Sequence, residues 1–333
     1  MAIDLAGIRN ENEFYSDHYL QTSVFDTTLK EAFKERLETD TDPGRALSRL
    51  AKTYLRGASD YRDTPDRAER LQLFRHLMHD LLAVLGYERR PETQIDAEEQ
   101  PVPLLARAVH AGGDDTLWVV EALAPHGDDI ETDPLTLTPV AEQVDTESQE
   151  LLDTERTYER AVTGGIFGLE RPPRFVLLVS MAQIVLIDRF KWAESRLLRF
   201  DLDAIFTRQV PETCRAVAGL LHQASIAPQA GTPLLQTIDE ESHAHARQVT
   251  DDLKYALREA IEVLGNEAAR QIAEKRKKHG EAAYKTDGRP AIDARQLSVE
   301  CLRYMYRLLF LFYIEARPDL GFAPLKSEAY RKG

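Results

Sequence analysis

Cysteine is scarce in this sequence: only Cys214 and Cys301 occur among 333 residues, and both have apolar neighbours. Two isolated thiols in apolar surroundings are more typical of buried, reduced cysteines than of a disulfide. The cysteine usage therefore indicates a reducing compartment, and we expect a cytoplasmic protein.

Long hydrophobic stretches are also lacking. The chain does not begin with a basic segment followed by a continuous apolar stretch, so no signal peptide is predicted. The longest apolar run covers residues 308–314, between Arg307 and Glu315. This run is too short to cross a bilayer. It predicts a buried helix of a protein that has no membrane partner.

The common catalytic motifs are missing as well. The sequence contains no G-x-x-x-x-G-K-[ST], no G-x-S-x-G, no H-E-x-x-H and no C-x-x-C. It also lacks the glycine-rich loop of an S-adenosylmethionine site and the Asn/Asp-Pro-Pro-Tyr/Phe motif of amino methyltransferases. We therefore expect no cofactor in this chain and no methyl transfer by it alone.

The net charge of −14 is concentrated in one segment. Residues 92–155 carry 17 acids and a single base, Arg107, so the rest of the chain has a net charge of +2. Because exposed charges are screened beyond about 10 Å, this acidity does not exclude a DNA-contacting surface elsewhere.

Hydrophobic periodicity predicts an α+β fold that is mostly helical. Helical patterns fill residues 1–62, and Asp66 opens a strong helix that Gly86 ends. Strands are predicted at 102–109, 117–123, 175–179, 184–188 and 197–202, with a helix at 142–162 between the two hairpins. Helices again dominate after Pro211, over 212–224, 239–264, 266–279 and 292–316. The expected organisation is a helical segment (1–62), a small α/β domain with a mixed or antiparallel sheet (63–210), and a helical connector (211–333).

The helix–strand–strand order over residues 66–123 resembles the start of a PD-(D/E)xK nuclease core. Such a core holds Mg²⁺ between a carboxylate on one strand and Glu-x-Lys on the next. The best match is Glu121-Ala122-Leu123, which has leucine at the lysine position, and strand 102–109 contains no acid. Asp114 or Asp115 would have to supply the second carboxylate from the turn. The resemblance therefore implies a degenerate nuclease domain, with Glu121, Asp114 and Asp115 as candidate residues and Mg²⁺ as cofactor only if it cleaves.

Two further groups have both a functional and a structural interpretation. Histidine is a common metal ligand, so His243 and His245 are candidates for a metal site. The neighbouring Glu240, Glu241 and Ser242 are instead typical of the first turn of a helix, so no metal is assigned. Residues 270–289 carry a net charge of +4. The candidate DNA-binding residues there are Lys275, Arg276, Lys277, Lys278, Lys285 and Arg289. The competing interpretation is a solvated helix C-terminus, where cations meet the helix dipole favourably.

Several longer blocks resemble the N-terminal region of large type IIG-like restriction–modification DNA methylases. They are Asn-Glu-Phe-Tyr-Ser-Asp-His-Tyr-Leu at 12–20, the segment 190–202, Asp-Glu-Glu-Ser-His at 239–243, and the segments 252–261 and 306–332. Such proteins combine a nuclease-like region, a helical connector, an adenine-N6 methylase and a target-recognition region, and some belong to phage-defence systems. The resemblance covers the first two parts, so we expect a truncated chain whose parent uses S-adenosylmethionine and binds DNA.

Three functions stay open at this point. The first is a non-catalytic module of a DNA methylase, in which the helix at 292–317 docks the methylase domain. The second is a divergent Mg²⁺-dependent endonuclease module. The third is a free-standing interaction protein that uses its acidic segment as a partner surface.

Overall fold

The computed structural model describes residues 5–34, 42–109, 115–124, 130–228, 231–281, 285–286, 289–290, 292–316 and 321–322. The chain divides into two compact units, Met1–Ala246 and Arg247–Gly333. The first contains a seven-stranded mixed sheet among helices, which confirms the predicted α+β fold. The three-part division at 62/63 and 210/211 stays a prediction.

The helices of the first unit are short, apart from two that pack together. They are α1 (Asp17–Leu20), α2 (Ser23–Ala32), α3 (Pro43–Asp63), α4 (Arg67–Val84), α5 (Tyr158–Arg160), α6 (Arg189–Trp192), α7 (Leu202–Arg208), α8 (Pro211–Leu221) and α9 (Gln223–Ile226). The helix α10 (Leu234–Lys278) crosses the boundary between the units.

The sheet is built from strands that are neighbours in sequence and from one strand that is not. The strands are β1 (Ile8–Glu11), β2 (Glu92–Ile95), β3 (Pro101–Val109), β4 (Asp115–Glu121), β5 (Phe175–Val179), β6 (Gln183–Asp188) and β7 (Leu197–Asp201). Their order is β1-β7-β6-β5-β4-β3-β2. Only the pair β4–β5 is parallel, and the other neighbouring strands are antiparallel.

Both faces of the sheet are buried, which explains why its central strands are almost continuously apolar. On β4, Leu117 and Val119 belong to the core that the sheet shares with α3, α4, α7 and α8. Trp118 and Val120 face a second core on the opposite side, formed with the crossover segment that contains Tyr158. Successive side chains of a strand point to opposite faces, so one strand supplies both cores.

The helix α4 begins after an aspartate cap and ends before a glycine, as the sequence predicts. The Asp66 carboxylate caps the helix by accepting the Glu69 N–H at 2.9 Å. At the other end Gly86 has a φ of +82°, and the Tyr87 N–H donates to the Leu82 carbonyl at 2.9 Å. A glycine at this position adopts the left-handed conformation without strain.

Two predictions about the secondary structure of the first unit are wrong. Residues 142–162 do not form one helix: they form 3₁₀ turns at Ala141–Gln143 and Ser148–Leu151, the short α5, and the start of a π-helical turn at Ala161–Ile166. Asp145 and Asp153 accept backbone N–H groups from Ser148 and Glu155, and such local bonds compete with a helix. The N-terminal segment is not purely helical either, because β1 is an edge strand of the sheet.

The second unit contains the end of α10, a two-stranded pair β8 (Lys285–Thr286) and β9 (Arg289–Pro290), and α11 (Ala294–Ala316). Gly265 does not end α10, although the sequence suggests two helices there. The two cysteines are buried and free, as predicted. Among the described residues, no helix has both the length and the apolar character needed to cross a membrane.

Candidate functional site

The candidate nuclease residue Glu121 lies at the end of β4 and is fully buried. Arg75, on α4, donates to both carboxylate oxygens: the distances are 2.8 Å from Nε to Oε1 and 2.6 Å from Nη2 to Oε2. This bidentate geometry is a strong form of ion pair. A guanidinium thus occupies the position that a metal ion would need at this carboxylate.

The backbone carbonyl group of Glu121 also has its hydrogen-bond partners within the protein. Its carbonyl oxygen accepts a hydrogen bond from the Gln143 amide at 2.8 Å and one from the Tyr158 hydroxyl at 2.7 Å. Burial raises the pKa of the Glu121 carboxyl, and Arg75 and Arg89 oppose this increase. The arrangement stabilises the end of a strand and leaves the carboxylate without contact with solvent.

The other nuclease candidates do not join Glu121. Asp114 lies outside the described residues. Asp115 begins β4, roughly 20 Å along the strand from Glu121, and accepts a hydrogen bond from the Trp118 indole at 2.8 Å. Leu123 is buried in the apolar core. In the described part of the chain, no group of three or more His, Cys, Asp or Glu side chains is arranged to hold a metal ion.

The basic residues predicted to contact DNA occupy two places in the second unit. Residues 275–278 form the last turn of α10, where cations also favour the helix dipole. Arg276 pairs with Glu281 at 3.3 Å, and the three lysines beside it are exposed. Lys285 and Arg289 lie on the short strands β8 and β9.

The structure brings together three blocks that are far apart in the sequence, at 12–20, 190–202 and 239–243. Lys191 connects all three: its Nζ donates to the Phe14 carbonyl at 2.6 Å and forms an ion pair with Asp239. The same ammonium lies 4.3 Å from the Phe14 ring centroid and 4.6 Å from that of Tyr15. We refer to the contacts among these blocks as the three-block cluster.

Further hydrogen bonds attach the first block to the start of α10. The Ser16 N–H donates to the Ser242 hydroxyl at 2.7 Å, and the Tyr15 hydroxyl donates to the Leu235 carbonyl at 3.1 Å. The Tyr19 hydroxyl donates to the Glu241 carboxylate at 2.6 Å. The three-block cluster therefore fixes the first two turns of α10 to the sheet-containing unit.

The histidines that the sequence singles out lie beside the three-block cluster, where each has a partner within the protein. His245 Nε2 lies 2.7 Å from His18 Nδ1, so one ring donates to the other, and the rings stack at 4.8 Å. His243 lies 3.8 Å from Asp239 on its own helix. The second histidine of the pair, His18, could have been found only from the resemblance of block 12–20.

Burial shifts the pKa values of two hydrogen-bond donors in the three-block cluster. Burial lowers the pKa of Lys191, while its contact with Asp239 opposes the decrease. Burial raises the pKa of Tyr19, and its hydrogen bond to Glu241 raises it further. Tyr19 therefore remains a protonated donor, as its contact with the carboxylate requires.

Comparisons with family models, with curated proteins and with solved structures give no significant match.

Proposed function

We propose that this chain is the non-catalytic N-terminal module of a bacterial DNA adenine-N6 methylase of the restriction–modification type. The observation that carries the proposal is the three-block cluster. Three of the blocks that resemble such methylases are joined by direct contacts of Lys191 and Ser242, so they act as parts of one structural feature. Its role is to hold α10, which belongs to the predicted helical connector.

The surroundings of Glu121 support a module that does not cleave DNA. A Mg²⁺ ion would have to displace Arg75 from a carboxylate with no exposed surface. Asp115, the other nuclease candidate among the described residues, lies at the far end of β4. Metal-assisted cleavage depends on an accessible, fixed set of oxygen ligands.

The contacts of the acidic segment argue against a free-standing protein that uses this segment as a partner surface. Asp96 pairs with the buried Arg156, and Asp133 accepts two hydrogen bonds from Arg199. Glu121 binds Arg75. Arginines from outside the segment thus neutralise several of its acids within the molecule, and these acids are not available to a partner.

The apolar side chains of α11 support a partner for the second unit. Contrary to the buried helix that the apolar run 308–314 predicts, seven large side chains are more than half exposed: Leu302, Tyr304, Tyr306, Phe310, Leu311, Phe312 and Tyr313. Exposed apolar patches of this kind commonly mark interaction surfaces. In the proposed function the methylase domain, which would bind S-adenosylmethionine and act on DNA, covers this helix.

Sequencing the gene beyond codon 333 tests the proposal. We expect the reading frame to continue into a glycine-rich cofactor loop and an Asn/Asp-Pro-Pro-Tyr/Phe motif. The purified 333-residue chain should transfer no labelled methyl group to DNA and should not nick plasmid with Mg²⁺. A frame that stops without a methylase, or methyl transfer by the chain alone, would contradict the proposal.

A further inference from the structure

An exposed aromatic ring lies at the end of β6, where α6 begins. The Phe190 side chain is 68% exposed, although phenylalanine usually contributes to a core. Its backbone is held firmly, since the Asp188 carboxylate accepts the Phe190 N–H at 2.9 Å and pairs with Arg174 at 3.1 Å. The ring is therefore presented to solvent from a fixed backbone.

Two guanidinium groups flank this ring. The Arg189 Cζ lies 5.0 Å from the ring centroid, and the Arg174 Cζ lies 5.4 Å from it. Both distances are within the range of a cation–π contact. Because the ring remains 68% exposed, most of its surface is still open to a ligand.

The charge of this surface differs from that of the whole chain. Lys191 pairs with Asp239, and Arg196 pairs with Glu194 at 2.7 Å. Arg189 has no carboxylate partner among the described residues, and its guanidinium lies beside the Phe190 ring. In a chain with a net charge of −14, this surface thus keeps an uncompensated cation beside an open aromatic face.

We propose that Arg174, Arg189 and Phe190 form a binding platform for single-stranded DNA. An unpaired base stacks on the aromatic ring, and a neighbouring phosphate binds Arg189. Stacking on aromatic rings combined with arginine contacts is how proteins bind single strands without reading their sequence. A duplex offers the ring no base face, because its bases are already stacked on each other. The choice of DNA over a protein partner rests on the proposed function.

The platform is separate from the position of the degenerate nuclease centre. In the parallel pair β4–β5, Leu117 is opposite Phe175 and Glu121 is opposite Val179. Arg174 immediately precedes Phe175, and Asp188 is opposite Phe175 on β6. The platform therefore lies at one end of the central strands and Glu121 lies at the other.

A binding titration with single-site variants tests the platform. A fluorescent oligothymidine of about 12 nucleotides would be titrated into the full chain, its Phe190→Ala variant and its Arg189→Ala variant. We expect Phe190→Ala, which keeps the charge, to bind the oligothymidine about tenfold more weakly. For Arg189→Ala, we expect the slope of log affinity against log salt concentration to fall by about one. The matched control is Tyr255→Ala, another aromatic side chain that is 72% exposed, and its affinity should not change.

The possible results of this titration distinguish failure of the binding platform from failure of the proposed function. Unchanged affinity in Phe190→Ala, absence of oligothymidine binding, or equal binding of a duplex of the same length would each overturn the platform. None of these results affects the test of the methylase module, which depends on the reading frame beyond codon 333. Because Phe190 is exposed, thermal unfolding of the variant should match that of the unchanged chain.

Discussion

Arg75 and Glu121 differ in their access to water, although they form one ion pair. The Arg75 side chain is 18% exposed, whereas the Glu121 side chain is fully buried. Loss of Glu121 would leave a cation that can still reach solvent. Loss of Arg75 would leave a buried anion without a partner, which is the more costly of the two changes.

Replacing Arg75 by alanine should therefore destabilise the chain by about 3 kcal/mol near neutral pH. Burial already raises the pKa of Glu121, and without Arg75 that increase is less opposed. A carboxyl with a raised pKa in the folded state favours folding at low pH, and this contribution is lost as the pH rises through the folded-state pKa. The deficit should thus be smaller at about pH 4 than at about pH 8, as measured by denaturant unfolding. The double variant Arg75→Ala/Glu121→Gln should lose this difference, and an equal deficit of Arg75→Ala at both pH values would contradict the explanation.

The ion pair between Lys191 and Asp239 should couple block 190–202 to α10. A double-mutant cycle with Lys191→Met and Asp239→Asn should give a coupling free energy of about 1–3 kcal/mol. Amide hydrogen exchange at the start of α10 should accelerate in each single variant, because the three-block cluster holds those turns. A coupling free energy near zero would mean that packing alone fixes the helix.

Any duplex-DNA binding by the second unit should depend on the basic end of α10. Changing Lys275, Lys277 and Lys278 to glutamate should weaken binding and flatten its salt dependence, because fewer counterions are released. The matched control changes three exposed basic residues of the first unit: Lys52, Arg62 and Arg67. If both triple variants lose the same affinity, the effect reflects net charge and not a site.

The isolated chain should bind a hydrophobic dye and self-associate through α11. Phe312 is 61% exposed and Leu311 is 54% exposed, so their replacement by glutamine should reduce dye fluorescence and the mass measured by light scattering. Phe190→Gln is the matched control, since it removes one exposed ring from the first unit. A monomeric, dye-negative chain would contradict the predicted docking role of α11.

Elements with strong local signals could be predicted from the sequence. The helix α4 has an aspartate cap and a terminal glycine, and the hairpin β5–β6 has two apolar runs around a short turn. The strands β1 and β2 have no such signal: their sequences, Ile-Arg-Asn-Glu and Glu-Thr-Gln-Ile, are short and largely polar. Their extended conformation depends on pairing with β7 and β3, which the local sequence does not encode.

The candidate sites were less predictable for the same reason. A glutamate at the end of an apolar strand has the same local sequence whether its partner is a metal ion or an arginine. The partner, Arg75, lies 46 positions earlier and is recognised only in three dimensions. Contacts between Lys191 and Asp239 likewise join residues 48 positions apart, so the sequence could identify the blocks but not their convergence.

The pairing of β1 with β7 has a consequence for synthesis on the ribosome. Glu11 is opposite Leu197, so 186 residues are added before the first strand can find its neighbour. At about 5–20 residues per second, this takes about 10–40 s. During that interval the sheet can form only up to β6, whose edge stays open to other nascent chains until β7 is made. The strand β1, although made first, can join the sheet only after β7, and it then replaces the apolar edge of β7 with its own short and largely polar edge.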